Sequence, residues 1–407
     1  MTPEVSKHMT EETITIADRV RQVGMSPTMK GTMEAERLRR QGVDVVDLGA
    51  GEPDFPTPAH VTEAAIAAIQ KQFTKYTANP GIVELREAVG SRYQAMYGVS
   101  YRSDEVIITA GGKQALFHAA LALFNPGDDV ITHAPGWPTI VEQIKLAGAR
   151  PIIVRTHAED GFALTAAMFV DALTPNTKAI VINSPGNPTG ALLSENEART
   201  LAREAARRGI WLIVDLCYEQ LIYDGVAHNL PHILGEAARD RLVLCGSMSK
   251  SYAMTGWRCG WMAAPKAIVS AANALQSHST SNVNSITQRA AVTALTGPQQ
   301  CVTDMLAEYK SRRDHVLGVL ATEPRIRCAT PQGAFYVFPD ISAFLSPNGT
   351  RTSLEFADGL LRDEHVVTTA GEAFDAPGFL RLSYAASVDV LNEGLSRLFR
   401  YARKIAP

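Results

Sequence analysis

Two side chains that could take part in chemistry, Lys250 and Asp215, follow short apolar runs typical of buried strands. A lysine in this position, flanked by small hydroxyl residues as in Ser247-Met-Ser-Lys250, could form a Schiff base with a carbonyl compound. A buried carboxylate after Trp211-Leu-Ile-Val214 would need a cation or hydrogen-bond donors as partners. Taken alone, each residue has an ordinary explanation. Lys250 could be a solvated lysine, and Asp215 could be a helix N-cap or form a salt bridge.

Groups that could bind a ligand occupy similar positions. Tyr218 follows Asp215 by three residues, and Asn187 lies in the Pro/Gly-rich turn Ser184–Gly190, which follows another apolar run. The turn Ala110-Gly-Gly-Lys113 opens a predicted helix, and its backbone N–H groups would suit a phosphate. It matches neither a Walker A loop nor a G-x-G-x-x-G fingerprint, and ordinary turn chemistry also explains it.

Two arginines indicate binding sites for anionic groups. Arg258 follows Lys250 by eight residues, and Arg381 lies in a late strand-like run that is otherwise apolar. A guanidinium fork matches a carboxylate bidentately. Together, these signals require a ligand with a phosphate, a ring that accepts hydrogen bonds, and a carbonyl that reacts with lysine. Pyridoxal 5′-phosphate (PLP) meets every one of these demands.

The elements that must position these residues alternate along the middle of the chain. Helical patterns, such as Lys113–Phe124 and Ser194–Arg208, separate most of the short apolar runs. Continuous apolar runs without polar alternation predict an α/β fold with a mostly parallel sheet and helices on both faces. Ligands bind such sheets at the carboxyl ends of the strands. The predicted strands are Val106–Thr109, Val130–Thr132, Ile152–Val154, Ala179–Ile182, Trp211–Val214 and Leu242–Cys245.

The rest of the chain predicts a smaller α+β unit. A long helical pattern covers about Ser285–Leu320, and strand-like segments at Ala334–Phe338 and Phe379–Ser383 flank a helix near Ser353–Glu364. Residues 12–50, with a helical run at Thr32–Gln41, are expected to pack against this unit. We therefore divide the chain into an N-terminal segment (1–50), a large ligand-binding domain (51–300) and a small domain (301–407).

Composition narrows the class of protein. The 407 residues are 46% hydrophobic and 20% charged, as in ordinary globular proteins, and the net charge of −3 indicates neither a nucleic-acid nor a membrane partner. Five cysteines form no C-x-x-C pair, which favours reduced thiols. We find no signal peptide, spanning segment or metal site, and we expect a cytoplasmic protein.

At this point the sequence resembles the class I aminotransferases of the fold-type I PLP enzymes, and within them the bacterial aspartate aminotransferase branch. The likeness runs from about Ile16 to Arg403. The segments that carry it stand in the family order: Gly51-Glu-Pro-Asp-Phe55, Gly111-Gly-Lys-Gln-Ala115, Ser184-Pro-Gly-Asn-Pro-Thr-Gly190, Ser247-Met-Ser-Lys250, Met254-Thr-Gly-Trp-Arg258, Gly333-Ala-Phe-Tyr336 and Arg381-Leu-Ser-Tyr384.

The resemblance implies how the cofactor would be held. Lys250 would bind PLP covalently, and Asp215 would pair with the protonated ring nitrogen. Tyr218 and Asn187 would hydrogen-bond the ring's 3′ oxygen, and Trp137 would stack on the ring face. Lys250, Asp215 and Tyr218 would then be the catalytic residues of a ping-pong transaminase.

The same resemblance implies contacts to the phosphate. Gly112 and Lys113 would bind it through backbone groups, and Ser247 and Arg258 through side chains. Tyr76 would reach the phosphate of the neighbouring subunit, which implies a homodimer.

The substrates would be an L-amino acid and a 2-oxo acid, with glutamate and 2-oxoglutarate as the expected common pair. Arg381 would bind the α-carboxylate, helped by Asn187 and Gly51, while the N-terminal segment closes over it. Lys113 would either bind the distal carboxylate of a dicarboxylic substrate or merely lie beside the phosphate. Aspartate is favoured as donor by overall likeness, and aromatic or aliphatic amino acids remain open.

Four positions depart from the family pattern. Gly136 replaces a tyrosine, which is expected to enlarge or loosen the wall near the ring, and Leu216 replaces an acid. Thr369-Ala-Gly371 replaces Val-Pro-Gly in a loop beside the substrate entry. Gly24 replaces a lysine that helps relatives to read prephenate, so prephenate is a less expected substrate.

Two other classes of function share parts of this pattern. Another PLP reaction, such as β-elimination, decarboxylation or cyclisation, would use Lys250 and Asp215 equally well. A regulator that fuses this fold to a helix-turn-helix is disfavoured, since only about fifteen residues precede the matched region.

Overall fold

A sheet of seven strands forms the centre of the larger part of the molecule. The computed structural model describes residues 17–24, 27–226, 228–347 and 349–406. The strands in these ranges are β1 Val46–Asp47, β2 Val106–Thr109, β3 Asp129–Ala134, β4 Arg150–Arg155, β5 Thr177–Asn183, β6 Trp211–Asp215, β7 Leu242–Ser247, β8 Gly260–Ala263, β9 Tyr336–Val337, β10 Val366–Val367, β11 Thr369–Ala370 and β12 Leu380–Ser383.

The α-helices of the same ranges are α1 Asp18–Arg21, α2 Pro27–Arg40, α3 Ala59–Gln70, α4 Val83–Tyr97, α5 Gly112–Leu123, α6 Pro138–Leu146, α7 Ala166–Asp171, α8 Glu195–Arg208, α9 Leu230–Ala238, α10 Lys266–Ser277, α11 Ser285–Thr296, α12 Gln300–Leu320, α13 Ser353–Glu364 and α14 Val388–Ile405. None of these helices is long and apolar enough to cross a lipid bilayer.

The large sheet has the strand order β2-β8-β7-β6-β5-β3-β4, and β8 alone runs antiparallel to its neighbours. Successive residues of its central strands pack into two different apolar clusters: Val214 and Leu244 into one, Ile213 and Val243 into the other. Because successive side chains of a strand point to opposite faces, helices must cover both faces of the sheet. The predicted α/β fold with a mostly parallel sheet is confirmed.

The structure also departs from the prediction in particular elements. All six predicted strands are present, but β8 was not predicted, because its four residues begin at a glycine and follow a turn-rich segment. The helical pattern over Ser285–Leu320 is two helices, since Gly297-Pro298 interrupts it. The strand expected at Ala334–Phe338 shrinks to β9.

A second unit surrounds two small sheets. β12 lies between β11 and β9 in an antiparallel sheet, and β1 pairs in parallel with β10. Its apolar cluster combines Val46 and Leu48 with side chains of α12, α13 and α14. Val46 and Leu48 therefore contribute to the apolar core of this unit. The exact division into domains stays a prediction.

Candidate active site

A pocket of about 500 Å³ lies at the carboxyl ends of β5, β6 and β7, where β12 and the segment after β1 face them. This volume is typical of sites for small cofactors. The structure brings together all of the predicted site residues except Tyr76: Gly51, Gly112, Lys113, Trp137, Asn187, Asp215, Tyr218, Ser247, Lys250, Arg258 and Arg381.

Asp215 is the last residue of β6 and is 2% exposed. Its Oδ1 accepts a hydrogen bond from the N–H of Cys217 at 3.0 Å. Burial raises the pKa of Asp215 to about 7, although the Cys217 N–H and the nearby Lys250 act in the opposite direction. A cation placed against this carboxylate would stabilise its ionised form.

The side chains next to Asp215 form a buried polar group. The hydroxyls of Tyr218 and Tyr336 lie 2.9 Å apart, and burial raises the pKa of Tyr218 well above its usual value, so this phenol stays protonated. Asn183, the last residue of β5, accepts a bond from the N–H of Asn187 at 2.8 Å. Its amide also donates to the Asp215 carbonyl at 3.4 Å, which fixes the two strand ends relative to each other.

Arg381 lies on β12, is 3% exposed and has neutral hydrogen-bond partners. Nη1 donates to Asn187 Oδ1 at 3.1 Å, and Nη2 donates to the Gly49 carbonyl at 2.7 Å and to Thr369 Oγ1 at 3.3 Å. Its guanidinium lies 4.4 Å from the centroid of the Tyr336 ring. Within the described residues no carboxylate pairs with it, so this buried cation demands an anionic ligand.

The turn before α5 provides a second place for an anion. Gly111 adopts φ +81°, a backbone conformation that favours glycine, and a Cβ there would lie 2.6 Å from Arg258 Nη2 and would displace the arginine. The Arg258 guanidinium donates to the carbonyls of Thr255 (2.8 Å) and Ala110 (3.2 Å) and forms no salt bridge in the described part of the chain. An arginine beside the first N–H groups of a 12-residue helix suits a phosphate.

The amine of Lys250 lies inside the pocket. It donates a hydrogen bond to the Gly51 carbonyl and lies 6.0 Å from the Tyr218 ring centroid and 5.6 Å from that of Phe335. No carboxylate forms a salt bridge with it in the ranges that the structure describes. Its position leaves the amine available to a bound aldehyde.

Lys113 faces the same space from the first turn of α5. Its Nζ lies 5.0 Å from the Trp137 ring centroid. Desolvation lowers the pKa of Lys113, and the neighbouring cations Arg258 and Lys250 lower it further. Clustered cations that destabilise one another indicate that an anion belongs between them.

Sequence reasoning missed several residues of this site. Asn183 accepts a hydrogen bond from Asn187, and Thr369 accepts one from Arg381. The pocket wall also includes Arg39 and Asp47. Asn183 ends a predicted strand, so the rule that pointed to Asp215 could have found it. Arg39 carries no local signal.

The departures from the family pattern have local consequences. A Cβ on Gly136 would lie 2.3 Å from the His133 carbonyl, so this backbone has no space for a side chain. A cavity of about 570 Å³ lies beside Gly136 and is also lined by Gly24 and Trp137. Leu216 is buried in the apolar core. The segment expected to close over the substrate lies partly outside the described residues.

The residues of the pocket match the chemical groups of PLP one by one. Asp215 offers a buried carboxylate to a protonated ring nitrogen, and Trp137 offers a ring face. Arg258 and the start of α5 offer cationic and N–H groups to a phosphate, and Lys250 offers an amine to the aldehyde.

Comparisons with known proteins agree with this site. A family model described as "Aminotransferase class I and II" matches residues 43–398. An aspartate aminotransferase of Geobacillus stearothermophilus is 39% identical over 95% of this chain and 98% of its own length. An aspartate/prephenate aminotransferase of Cereibacter sphaeroides is 39% identical over 94% of this chain and 97% of its own length.

A solved structure leads to the same family. The aspartate aminotransferase from Thermus thermophilus with maleate superimposes with a TM-score of 0.89 at 38% identity, covering 95% of this chain and 100% of that one. The chain belongs to the class I and II aminotransferases. It is a PLP-dependent aminotransferase of fold type I, and the predicted family, enzyme class and cofactor are confirmed.

Proposed function

We propose that this enzyme moves the amino group of an L-amino acid to 2-oxoglutarate by a ping-pong mechanism, with aspartate or another acidic or aromatic amino acid as donor. One observation carries the proposal: Arg381, a buried guanidinium without a carboxylate partner in the described residues, lies in the same pocket as the amine of Lys250. The names of the relatives favour aspartate, and the Thermus structure with maleate favours a dicarboxylic partner.

Lys250 is the proposed base. Bound PLP supplies an aldehyde that condenses with amines and a ring that withdraws electrons from the substrate Cα. Lys250 would hold the cofactor through its Nζ. Once the amino group of the substrate takes the place of this Nζ, the released amine would accept the proton from the substrate Cα. The nearby Gly51 carbonyl orients this amine through a hydrogen bond.

Asp215, Tyr218 and Asn187 would bind the ring nitrogen and the ring oxygen of PLP and so control the charge of the ring. Asp215, once ionised beside a cationic ring nitrogen, keeps a proton on that nitrogen. Tyr218 and Asn187 present a phenol and an amide to the ring oxygen. Asn187 also accepts from Arg381, so the side chain that contacts the ring is linked to the one that binds the substrate.

Arg381 binds the α-carboxylate and thereby orients the Cα–H bond relative to the ring, which is the main contribution of positioning to such a reaction. Gly112, Lys113, Ser247 and Arg258 anchor the phosphate.

We also propose that the active enzyme is a homodimer in which Tyr76 contributes to the phosphate site of the partner subunit. Tyr76 is 91% exposed in its own chain, far more than an aromatic side chain without a partner normally is. A cavity of about 670 Å³ beside Arg258 offers space for a side chain from outside. The cytoplasmic location stays a prediction.

An amino-donor panel tests the proposed activity. Purified PLP-loaded protein is incubated with single L-amino acids and 2-oxoglutarate, and glutamate and the new 2-oxo acid are measured by chromatography. We expect equal amounts of both products with aspartate, and one equivalent of 2-oxo acid per subunit when the acceptor is omitted. The Lys250→Ala variant should lose covalent cofactor and turnover.

Lys404→Ala, a change at an exposed lysine of α14 outside the pocket, is the matched control and should behave as the wild type. Release of ammonia or carbon dioxide in place of glutamate would establish β-elimination or decarboxylation instead. Normal turnover by Lys250→Ala would overturn the role of this amine.

A further inference from the structure

Tyr336 lines the active-site pocket, and the argument so far has given it no role in the chemistry. It lies on β9 of the small antiparallel sheet and is 1% exposed. Its hydroxyl lies 2.9 Å from that of Tyr218, which follows β6 of the large sheet. This hydrogen bond joins the second unit to the residue that is proposed to contact the ring oxygen of PLP.

The two hydroxyls form an isolated pair. Among the described residues, each is the only hydrogen-bond partner of the other. A phenol has one proton to donate and two lone pairs that accept. Within the pair one phenol donates to the other, and the second phenol keeps its proton for a third group. The position of that third group therefore decides the direction of the bond.

This direction follows from the proposed role of Tyr218. If Tyr218 donates its proton to the ring oxygen, it can only accept from Tyr336. Tyr336 then donates to Tyr218, and Tyr218 donates to the ring. Hydrogen bonds in such a chain polarise and strengthen one another where the dielectric constant is low. Both phenols are buried, and burial raises the pKa of Tyr218 well above its usual value, so Tyr218 keeps its proton.

The ring of Tyr336 has contacts that do not involve its hydroxyl. The Arg381 guanidinium lies 4.4 Å from the ring centroid, and the Tyr218 ring meets it edge to face at 5.9 Å. Tyr336 is also held on β9 by its pairing with Ser383 of β12. A substitution that removes only the hydroxyl therefore leaves these contacts in place.

We propose that Tyr336 is a positioning residue for the cofactor: its hydroxyl donates to Tyr218 and so directs the Tyr218 proton to the ring oxygen of PLP. The proposal deepens the proposed function, since it rests on Tyr218 binding that oxygen. The second unit then acts on both ligands. Arg381 binds the substrate, and Tyr336 acts on the cofactor through Tyr218.

Tyr336→Phe tests this role because it deletes the donor and keeps the ring. A pH titration of the visible absorbance of bound PLP reports how well the protein stabilises negative charge on the ring oxygen. The midpoint should rise by about 0.5 pH unit, because Tyr218 without its donor stabilises the deprotonated form less. The other ionisable groups around Tyr218 in the pocket stay the same in this variant: Asp215, Cys217, Lys250 and Arg381.

A double variant shows whether Tyr336 acts through Tyr218. In a Tyr218→Phe background, Tyr336→Phe should leave the midpoint unchanged, because the hydroxyl through which it acts is absent. The double variant also leaves no unpaired hydroxyl in the buried pair, so it should fold at least as well as either single variant. In Tyr336→Phe, the Kd for succinate should stay within about twofold of the wild type, since Arg381 keeps its contact with the ring.

Tyr384→Phe is the matched control. Tyr384 is fully buried in the second unit and lies outside the pocket, and its hydroxyl bonds to the Tyr223 hydroxyl and the Ala334 carbonyl, both at 3.2 Å. Its midpoint should equal that of the wild type.

An unchanged midpoint in Tyr336→Phe, or a shift of the same size in the Tyr218→Phe background, would overturn the proposal. The proposed function fails separately, if the wild type transfers no amino group, because the absorbance titration needs only bound PLP.

Discussion

Asp215 is buried and forms no salt bridge among the described residues, and this environment determines its pKa. A carboxyl group in water has a pKa near 3.8, whereas burial raises the pKa of Asp215 in the folded protein to about 7. Between about pH 4 and 7 the folded protein therefore holds a proton that the unfolded chain has released. Stability must fall as the pH rises through this window, by up to about 1.4 kcal/mol per pH unit.

Two buried histidines and one half-buried histidine affect stability in the opposite direction. Burial lowers the pKa of His118, His133 and His228 to about 4. The unfolded chain binds their protons below about pH 6.5, so their contribution to stability is lost as the pH falls from 6.5 to 4. The pH profile of the wild type alone thus mixes two opposing trends.

The Asp215→Asn variant separates these trends. In cofactor-free protein, the free energy of unfolding of Asp215→Asn minus that of the wild type should increase from pH 4 to 7 and then level off. The histidine contributions cancel in this difference. Urea unfolding at several pH values measures it, with Asp171→Asn at an exposed position as the control. A difference that does not change with pH would contradict the raised pKa.

At the scale of elements, the strands of the large sheet were predictable because they are buried on both faces and read as apolar runs. Asp215 was found for the same reason, since it directly follows such a run. β8 was missed because it is short and begins with Gly260. Arg39 was missed because no local pattern specifies that β1 pairs with β10 and brings Asp47 close to α2.

The start of α6 depends on a glycine. Pro138 begins the helix, and the preceding Gly136 donates its N–H to the Phe374 carbonyl at 3.3 Å, which joins the large sheet to the small unit. A Cβ on Gly136 would lie 2.3 Å from the His133 carbonyl, and this oxygen belongs to rigid backbone. The strand and the helix would have to separate to accommodate it.

Gly136→Ala should therefore destabilise the enzyme by about 1–3 kcal/mol, the usual cost of overpacking a core. Urea unfolding measures the loss, and Trp137 fluorescence should report the displacement of its ring. Gly318→Ala is the control: Gly318 is exposed on α12 with open space around it, and alanine should stabilise this helix by about 0.5–1 kcal/mol. A stability for Gly136→Ala equal to that of the wild type would show that this backbone yields easily.

At the scale of the whole molecule, charge is concentrated where the ligands bind. The chain carries a formal net charge of −3, yet the cations of a single pocket outnumber its three carboxyl groups. The cations are Arg39, Lys113, Lys250, Arg258 and Arg381, and the carboxyl groups are those of Asp47, Glu52 and Asp215. Such a local concentration attracts anionic cofactors and substrates even when the overall charge is slightly negative. Net charge alone could not have revealed this field.

The proposed dimer explains the exposed side chains near Tyr76. Ile66 and Ile69 of α3 are 49% and 50% exposed, and Val83 at the start of α4 is 45% exposed. Exposed apolar residues are common singly, but this stretch of chain combines several with a 91% exposed tyrosine. A partner subunit covering this surface would bury them and bring Tyr76 to its phosphate site.

Mixed dimers test whether Tyr76 acts across the interface. Tyr76→Ala and Lys250→Ala homodimers should each be impaired, the first mainly in PLP affinity and the second in all turnover. Refolding the two variants together should create dimers in which one site combines the intact Lys250 of one subunit with the intact Tyr76 of the other. Activity should then rise well above the mean of the two parents, whereas a Tyr76 that served its own subunit would produce no intact site and no gain.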